Sequence, residues 1–416
     1  MKTLAQWLAF VEQQHPSAIA MGLDRVASVL ERMGTRLDCP VITVAGTNGK
    51  GSTCTFLEAM LRAAGHKTAL YTSPHLLRYN ERVRIGGAEA TDAELCESFR
   101  AVEEARGATP LTYFEYGTLA ALSLFERKKV DVAVLEVGLG GRLDAVNVIP
   151  PDCAVLTSVG IDHVEYLGGS RESIGAEKAG IFRAHRPAVI AEPDVPASVL
   201  AAPGEKFFFG KDFGYAAEGA QWSYWGPGGK RGGLAWPALR GTIQLRNASA
   251  ALCALDALQD RLPLAMQDVR RGLAEASLAG RFQVLPGRPQ VILDVAHNPQ
   301  AARALAQNLG DSGFAPETFA VCGMLRDKDI PGVLGELAPR ITRWHFATLP
   351  PPRGALAAEL AEHLRSIDAR ASASVHESAH EAFAAAQAAA AQNDKIVAFG
   401  SFLTVSDVMA WLKRRT

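Results

Sequence analysis

The sequence has 416 residues, 48% of them hydrophobic and 21% charged, with a formal net charge of −1. That length exceeds one ordinary hydrophobic core and predicts two domains of globular composition. The near-neutral balance leaves no basic surplus that would suit nucleic acid or an anionic membrane as a partner.

Along the chain, short β-rich runs alternate with helical patterns, as in parallel βαβ units. Residues 40–46 predict a buried strand, 52–64 a helix closed by Gly65, and 67–73 the next strand. A capping box, Thr91-Asp92-Ala93-Glu94, opens a helix to about Arg106. Another helix is expected over 114–128, then strands over 130–137 and 153–159. Their nearly continuous apolar residues suit strands covered by helices on both faces. Between Gly204 and Gly241 the texture changes to glycine and aromatics, read as hairpins decorating the first domain. A second α/β series starts near Pro289, with strands over 291–296, 319–325, 344–349 and 396–401 and a helix from Pro299. The alanine-rich run 384–391 suits a packed helix, and nothing repeats at a fixed period. The predicted fold is α/β in two domains. One is an N-terminal P-loop ATPase-like domain with a doubly wound, mostly parallel sheet, over 1–284. The other is a smaller Rossmann-like domain over 289–416, with the break at 285–289.

Cys39, Cys54, Cys96, Cys153, Cys253 and Cys322 are scattered without a C-x-x-C pair. They predict reduced, packed thiols of a cytoplasmic protein, not a disulfide framework or a zinc cluster. The first residues lack the apolar core of a signal peptide, and no apolar run is long enough to span a bilayer.

The strongest chemical signal is Gly46-Thr47-Asn48-Gly49-Lys50-Gly51-Ser52. A buried strand delivers a glycine turn whose backbone N–H groups can face phosphate oxygens, Lys50 adds a cation, and Ser52 begins a helix. A hydroxyl in that place is the usual first Mg²⁺ ligand. The spacing is shorter than G-x-x-x-x-G-K-[ST], because two residues separate Gly46 from Gly49 and Gly51 precedes Ser52.

This shortened loop resembles that of the Mur ligase superfamily. Seven further segments in order resemble the dihydrofolate synthase/folylpolyglutamate synthases within it: YTSPHLLRYNERVRI at 71–85, LTYFEYGTLAAL at 111–122, LEVGLGGRLDAVN at 135–147, TSVGIDHVEYLG at 157–168, EKAGI at 177–181, GRFQ at 280–283 and LDVAHNP at 293–299. The resemblance covers nearly the whole chain. It implies an ATP-dependent carbon–nitrogen ligase that passes the γ-phosphate to a pteroate or folate carboxylate, after which the glutamate amine displaces phosphate. Such chemistry rests on positioning and charge neutralisation.

Residue by residue, the resemblance implies the following. Lys50 and the amides of Asn48, Gly49 and Gly51 hold the ATP phosphates, with Ser52 beside them. Ser73, Glu136 and His163 match Mg²⁺ ligands. Lys178 occupies the position of a carbamylated lysine, the alternative being an unmodified lysine in an ion pair. Lys50, Glu136, His163 and Lys178 are thus the expected catalytic set. Asn247, Arg281 and Asp294 match ATP contacts. His297 is expected near the phosphates or glutamate, or as a helix N-cap. On the pterin side stand Leu23, Asp24, Arg25 and Val26, then Thr112, Tyr113, Phe114 and Glu115, and Leu143, Asp144 and Ala145. Phe114 either stacks on the pterin or packs its helix, and Asp144 or Thr112 bonds the amide edge. Residues 73–85 resemble a mobile substrate loop with Pro74, His75, Arg78 and Arg82, whose arginines are otherwise solvated charges.

The expected cofactors are ATP and Mg²⁺, two ions of it. Expected partners are the small molecules dihydropteroate, reduced folates and L-glutamate, with a monomeric state and neither nucleic acid nor membrane. A cell-wall amino-acid ligase is disfavoured because residues 1–45 are too few for a UDP-binding domain before the loop. A P-loop GTPase or kinase is disfavoured by the shortened loop, and a non-catalytic nucleotide scaffold by the presence of Glu136, His163 and Lys178. A folylpolyglutamate synthase without dihydropteroate activity is the alternative function.

Overall fold

The computed structural model describes residues 2–17 and 19–415, which divide into two compact units. The first comprises residues 1–238 and 245–276; the second, 239–244 and 277–416.

In the first unit, α1 (Leu4–Val11) and α2 (Asp24–Met33) precede β1 (Val41–Ala45), α3 (Lys50–Ala63) and β2 (Thr68–Tyr71). A short antiparallel excursion, β3 (Val83–Ile85) and β4 (Ala88–Glu89), leads to α4 (Asp92–Arg106) and α5 (Tyr113–Lys128). Then come β5 (Val132–Glu136), β6 (Cys153–Leu156), α6 (Val164–Leu167), α7 (Arg171–Ala179), β7 (Pro187–Ile190), α8 (Ala197–Ala201) and β8 (Glu205–Phe208). The eight strands lie in the order β4-β3-β2-β5-β1-β6-β7-β8. From β2 to β8 every pairing is parallel. All residues of β1, β5 and β6 are buried, as expected of central strands sandwiched by helices. The sheet order reverses at β1, so the loops leaving β1, β5 and β6 open a crevice at their carboxyl ends.

The expected hairpins are a separate antiparallel sheet of β9 (Gly214–Glu218), β10 (Gln221–Gly226) and β11 (Gly229–Ala235). It is tied to α9 (Ile243–Ala257) through Asp256. Tyr224 Oη donates to Asp256 Oδ2 at 2.6 Å, Arg231 Nη2 to Oδ1 at 2.6 Å, and the Gly228 N–H to Oδ2 at 3.1 Å. The Asp256 side chain is only 1% exposed, so its removal strands a largely buried guanidinium. Asp256→Ala is expected to cost about 3–5 kcal/mol, read as a lower urea midpoint with an unchanged slope. α10 (Met266–Glu275) packs on α3 so closely that a Cβ on Gly272 would lie 2.5 Å from Met60 Cα.

The second unit holds β12 (Gln283–Leu285), β13 (Gln290–Leu293), α11 (Pro299–Asp311), β14 (Thr318–Cys322), α12 (Ile330–Leu337) and β15 (Arg343–Ala347). It continues with α13 (Ala357–Ile367), β16 (Ser372–His376), α14 (Ala379–Ala389), β17 (Lys395–Phe399) and α15 (Phe402–Lys413). Its sheet runs β12-β13-β17-β14-β15-β16, parallel except for the β12–β13 hairpin. The segment 285–289, read from sequence as the domain break, is the turn of that hairpin and lies inside the second unit. Proline and glycine mark a tight turn as readily as a linker, which is why composition alone misplaced it. The alanine-rich run is the packed helix α14. No helix among the described residues is long and apolar enough to cross a membrane.

Candidate active site

The loop leaving β1 is shaped by two glycines that tolerate no side chain. Gly46 has φ +153° and a Cβ there would lie 1.9 Å from Thr157 Oγ1. Gly49 has φ +89° and its Cβ would lie 2.7 Å from Asn247 Oδ1. Asn247, buried on α9, therefore lies against the turn. The segment after β6 pins the loop from below. Thr157 Oγ1 donates to Asn48 O at 2.6 Å, and the Thr47 hydroxyl both donates to Gly160 O and accepts from the Gly160 N–H. The Asn48 N–H donates to Ser158 Oγ at 2.9 Å, so this amide holds the loop's shape instead of facing outward.

Gly49 caps α3, which starts at Lys50, two residues earlier than expected. The first-turn N–H groups, including those of Gly51 and Ser52, have no intrahelical acceptor and form an anion-favouring terminus. Lys50 Nζ donates to the Gly46 and Thr47 carbonyls at 2.9 and 3.3 Å, which keeps its charge over the turn. Ser52 is buried immediately behind.

Glu136 ends β5 at the sheet's carboxyl edge and is 3% exposed. Its Oε2 accepts the Ser73 N–H at 3.0 Å, so two of the three expected metal ligands are neighbours. His163 sits half-buried on the loop after β6, at φ +51°, beside Asp162. Among the described residues no three His, Cys, Asp or Glu side chains are placed to hold an ion by themselves. The donors that are present, a carboxylate beside a serine next to a phosphate-type loop, suit a hard cation that takes its remaining ligands from phosphate and water.

Lys178, near the end of α7, is 4% exposed. Burial first, and then the charge of Lys50, lower its pKa to about 7, against the support of Asp162 and Asp144. Asp144 has its pKa raised by burial to about 6, although it accepts the Leu139 and Val146 N–H groups at 2.8 and 3.0 Å. Lys50 and Asp162 thus lie close enough for their charges to act on the buried Lys178, and Lys50 and Lys178 flank the buried Asp144 in a cluster of alternating charge. The loop carrying Asp144 wraps the end of α7: Arg142 N–H donates to Glu177 O at 2.7 Å, and a Cβ on Gly141 would meet the Lys178 backbone.

The three expected pterin segments converge. Thr112 caps α5 in a capping box with Glu115, and Glu115 Oε1 receives Arg25 Nη2 at 2.6 Å. The Gly22 N–H donates to Leu143 O. Leu23, Asp24 and Val26 belong to the start of α2, with Val26 fully buried, and Ala145 is buried in the turn after Asp144. Thr112, Glu115, Arg25 and Val26 are thus engaged in capping, pairing and core contacts. Phe114 is half-buried, its ring lying over Gly138 and 5.8 Å from Tyr71. In the substrate-loop segment, Glu81 accepts the N–H groups of Leu76, Leu77 and Arg78 and so folds the segment on itself. Arg82 Nε donates to His75 Nδ1 at 2.8 Å and its guanidinium lies 5.4 Å from both the Tyr79 and Tyr113 rings. Burial and Arg82 hold His75 down to about 4, hence neutral. Arg78 is instead an exposed partner of Glu89.

In the second unit, Asp294 follows β13 at the sheet's carboxyl end. It accepts the Phe282 and Ala296 N–H groups, both at 2.8 Å, and burial raises its pKa against the pull of Arg281. Arg281 lies 5.2 Å over the Phe402 ring, and His297 contacts the same ring and Val295 O. The N-cap of α11 is Asn298, not His297, since Asn298 Oδ1 accepts the Ala301 N–H at 3.0 Å. Arg281, Asp294 and His297 therefore form one cluster.

Family models match at residues 44–255, the Mur ligase middle domain, and 280–402, the Mur ligase glutamate ligase domain. The chain is 44% identical over 420 residues to the dihydrofolate synthase/folylpolyglutamate synthase of Escherichia coli, covering 99% of this chain and 96% of that protein. The chain belongs to the Mur ligase family. Within it, the chain is an ATP-dependent ligase of the dihydrofolate synthase/folylpolyglutamate synthase group. The solved structure of E. coli FolC in complex with DHPP and ADP superposes with a TM-score of 0.95 at 43% identity, covering 100% of this chain and 98% of that one. A bifunctional folylpolyglutamate synthase/dihydrofolate synthase with Mn, AMPPNP and L-glutamate bound gives 0.92 at 45% identity, covering 99% and 98%.

Set against other residues of this Mur ligase, sequence reading missed Thr157, Ser158, Asp162 and Gly138. Asp162 stood beside the predicted His163 and supports the Lys178 charge more than Asp144 does. Gly138 carried no signal beyond being one of three glycines in its segment.

Proposed function

We propose that the chain ligates L-glutamate to dihydropteroate and to reduced folates at the expense of ATP, through an acyl phosphate, as a cytoplasmic monomer. The observation that carries this reading is the charged cluster of Lys50, Asp144, Asp162 and the buried Lys178, together with Glu136 against Ser73 at the carboxyl end of β5. Names of relatives that bind DHPP, ADP and L-glutamate support it.

In this reading the helix terminus at Gly51 and Ser52 and the Lys50 ammonium bind the ATP phosphates and offset charge on the γ-phosphoryl group. The substrate carboxylate oxygen attacks that phosphorus and ADP leaves. The glutamate amine then attacks the acyl carbon, and phosphate leaves with the oxygen it took from the carboxylate. Ser73 and Glu136, with His163, would hold Mg²⁺, which when bound neutralises phosphate charge. Lys178, near neutrality in its charge state, can take up CO₂ and become an anion balancing Lys50. Arg281 and Asp294 are assigned to nucleotide, and His297 to phosphate or glutamate. Phe114 supplies a ring face for the pterin and Asp144 an acceptor for its amide edge. Arg82, held by His75 between two tyrosine rings, is a cation for the carboxylate end of the folate.

Dihydropteroate labelled with ¹⁸O in its carboxylate tests the chemistry. The reading expects the label in inorganic phosphate; unlabelled phosphate would exclude the acyl phosphate. Gly138→Ala would drive a methyl to within 2.7 Å of the Phe114 ring. It is expected to raise KM for dihydropteroate about tenfold, equivalent to ~1.4 kcal/mol, with KM for ATP unchanged in steady-state assays.

A further inference from the structure

On the second unit's sheet, far from Asp294, two histidines face each other. His345 on β15 and His376 on edge strand β16 approach with Nδ1 and Nε2 3.2 Å apart. Their ring centres are 5.3 Å apart, so each nitrogen is directed toward the other ring. Ser374, paired across the strands with His345, sets its hydroxyl 3.0 Å from both nitrogens. β17, β14 and β15 separate β16 from β13, whose end carries Asp294. None of these three residues has a role in the ligase reading.

We propose that His345, His376 and Ser374 form a binding site for one borderline divalent transition-metal ion, Zn²⁺ in the first instance, distinct from the Mg²⁺ position. Metal–imidazole bonds of about 2.0–2.1 Å to two nitrogens 3.2 Å apart subtend roughly 100°, near the tetrahedral angle. At 3.2 Å, with both rings neutral, the tautomer that puts an N–H on one of these nitrogens lets it face the other ring's lone pair. Moving that proton to the donor ring's second nitrogen through water leaves two lone pairs facing one point, with no net proton released. Both imidazoles are kept neutral, as ligands must be: burial, then the neighbouring ring and Arg343, hold His345 down to about 4, and burial lowers His376 against the pull of Glu381. Arg343 is itself paired with Glu317 at 3.0 Å, which tempers its repulsion of an incoming cation. No third His, Cys, Asp or Glu completes the set among the described residues, so Ser374 and water fill the remaining positions. Imidazole nitrogen selects Zn²⁺, Ni²⁺ or Cu²⁺ over Mg²⁺.

Calorimetric titration of the full chain with Zn²⁺ in excess Mg²⁺, beside the variants His345→Ala, His376→Gln and Ser374→Ala, tests this. Wild type is expected to take up one Zn²⁺ that both histidine variants lose or bind at least tenfold more weakly, and Ser374→Ala to show a smaller weakening. Ligase turnover in metal-chelated, Mg²⁺-restored buffer is expected to be equal in all four proteins. His376→Gln keeps hydrogen-bonding capacity at the strand edge, so it supplies a folded variant should His345→Ala lose its melting transition. Zinc uptake of unchanged stoichiometry and affinity in His376→Gln, or none in wild type, would overturn the assignment.

Discussion

Glu136→Gln is expected to lower turnover by at least about 10²-fold while leaving the fold intact. Glu136 is 3% exposed at the end of β5, and its Oε2 accepts the Ser73 N–H at 3.0 Å. A glutamine carbonyl can accept that same bond in the same volume, so the Ser73 segment keeps its anchor. What disappears is the negative charge beside the loop proposed to hold phosphate, and with it a ligand suited to a hard cation. Circular dichroism and Tm should therefore match wild type while kcat collapses, and higher Mg²⁺ should recover part of the loss. Near-normal kcat in this variant would remove Glu136 from the metal position.

Lys178→Met is expected to lower turnover by a similar factor, at least ~10²-fold, and to change how stability depends on pH. The pKa of Lys178 is lowered to about 7 from the ordinary lysine value of 10.5, first by burial and then by Lys50. Between those two values the unfolded chain binds a proton that the folded chain does not, so unfolding free energy rises with pH through that window. Below pH 7 the folded protein must keep a buried ammonium and the cost is fully present. Lys178→Met removes both the cost and the slope, stabilising the fold at neutral pH by about 3–5 kcal/mol. Urea midpoints from pH 7 to pH 10 should climb in CO₂-free wild type and stay level, apart from other groups, in the variant. Asp144 works in the opposite sense: its pKa is raised to about 6, so its contribution falls as pH rises from about 4 to 6. In the wild type, removal of bicarbonate should reduce activity reversibly if Lys178 carries CO₂ during turnover.

The sequence was most legible where one local rule sufficed. Nearly continuous apolar runs located β1, β5, β6, β13, β14, β15 and β17 to within a few residues, because central parallel strands are buried on both faces. The glycine–lysine turn after β1 stood out, and Thr91 opens its helix with the expected capping box, whereas the box at Thr112 went unread. Strands of weak pattern escaped: β3 and β4 are three and two residues long, and β16 is an edge strand, Ser-Ala-Ser-Val-His, with three of its residues exposed. The turn at 285–289 mimicked a linker because a hairpin and a domain break use the same residues.

Within the site, identities were legible but their partners were not. Lys178 stood out through family likeness, whereas its burial with Lys50, Asp144 and Asp162 depends on loops far apart in sequence. The hydrogen bonds from Thr157 and Ser158 to Asn48 cross more than a hundred residues and leave no periodic trace. They also explain why the loop accommodates a shortened spacing: a second strand's exit segment supplies the support that extra loop residues would give. Likewise Phe114 was legible as an aromatic, but the glycine that makes room for its ring, Gly138, became visible only when the two segments met.

The measurement that bears most directly on the central claim is ADP release by the purified chain with Mg²⁺-ATP and L-glutamate, offering dihydropteroate and tetrahydrofolate in turn. The account predicts glutamate-dependent release with both substrates, at rates that fall together in Glu136→Gln. Release with tetrahydrofolate alone would leave only the polyglutamylating activity, and release with neither would contradict the assignment of this pocket to folate ligation.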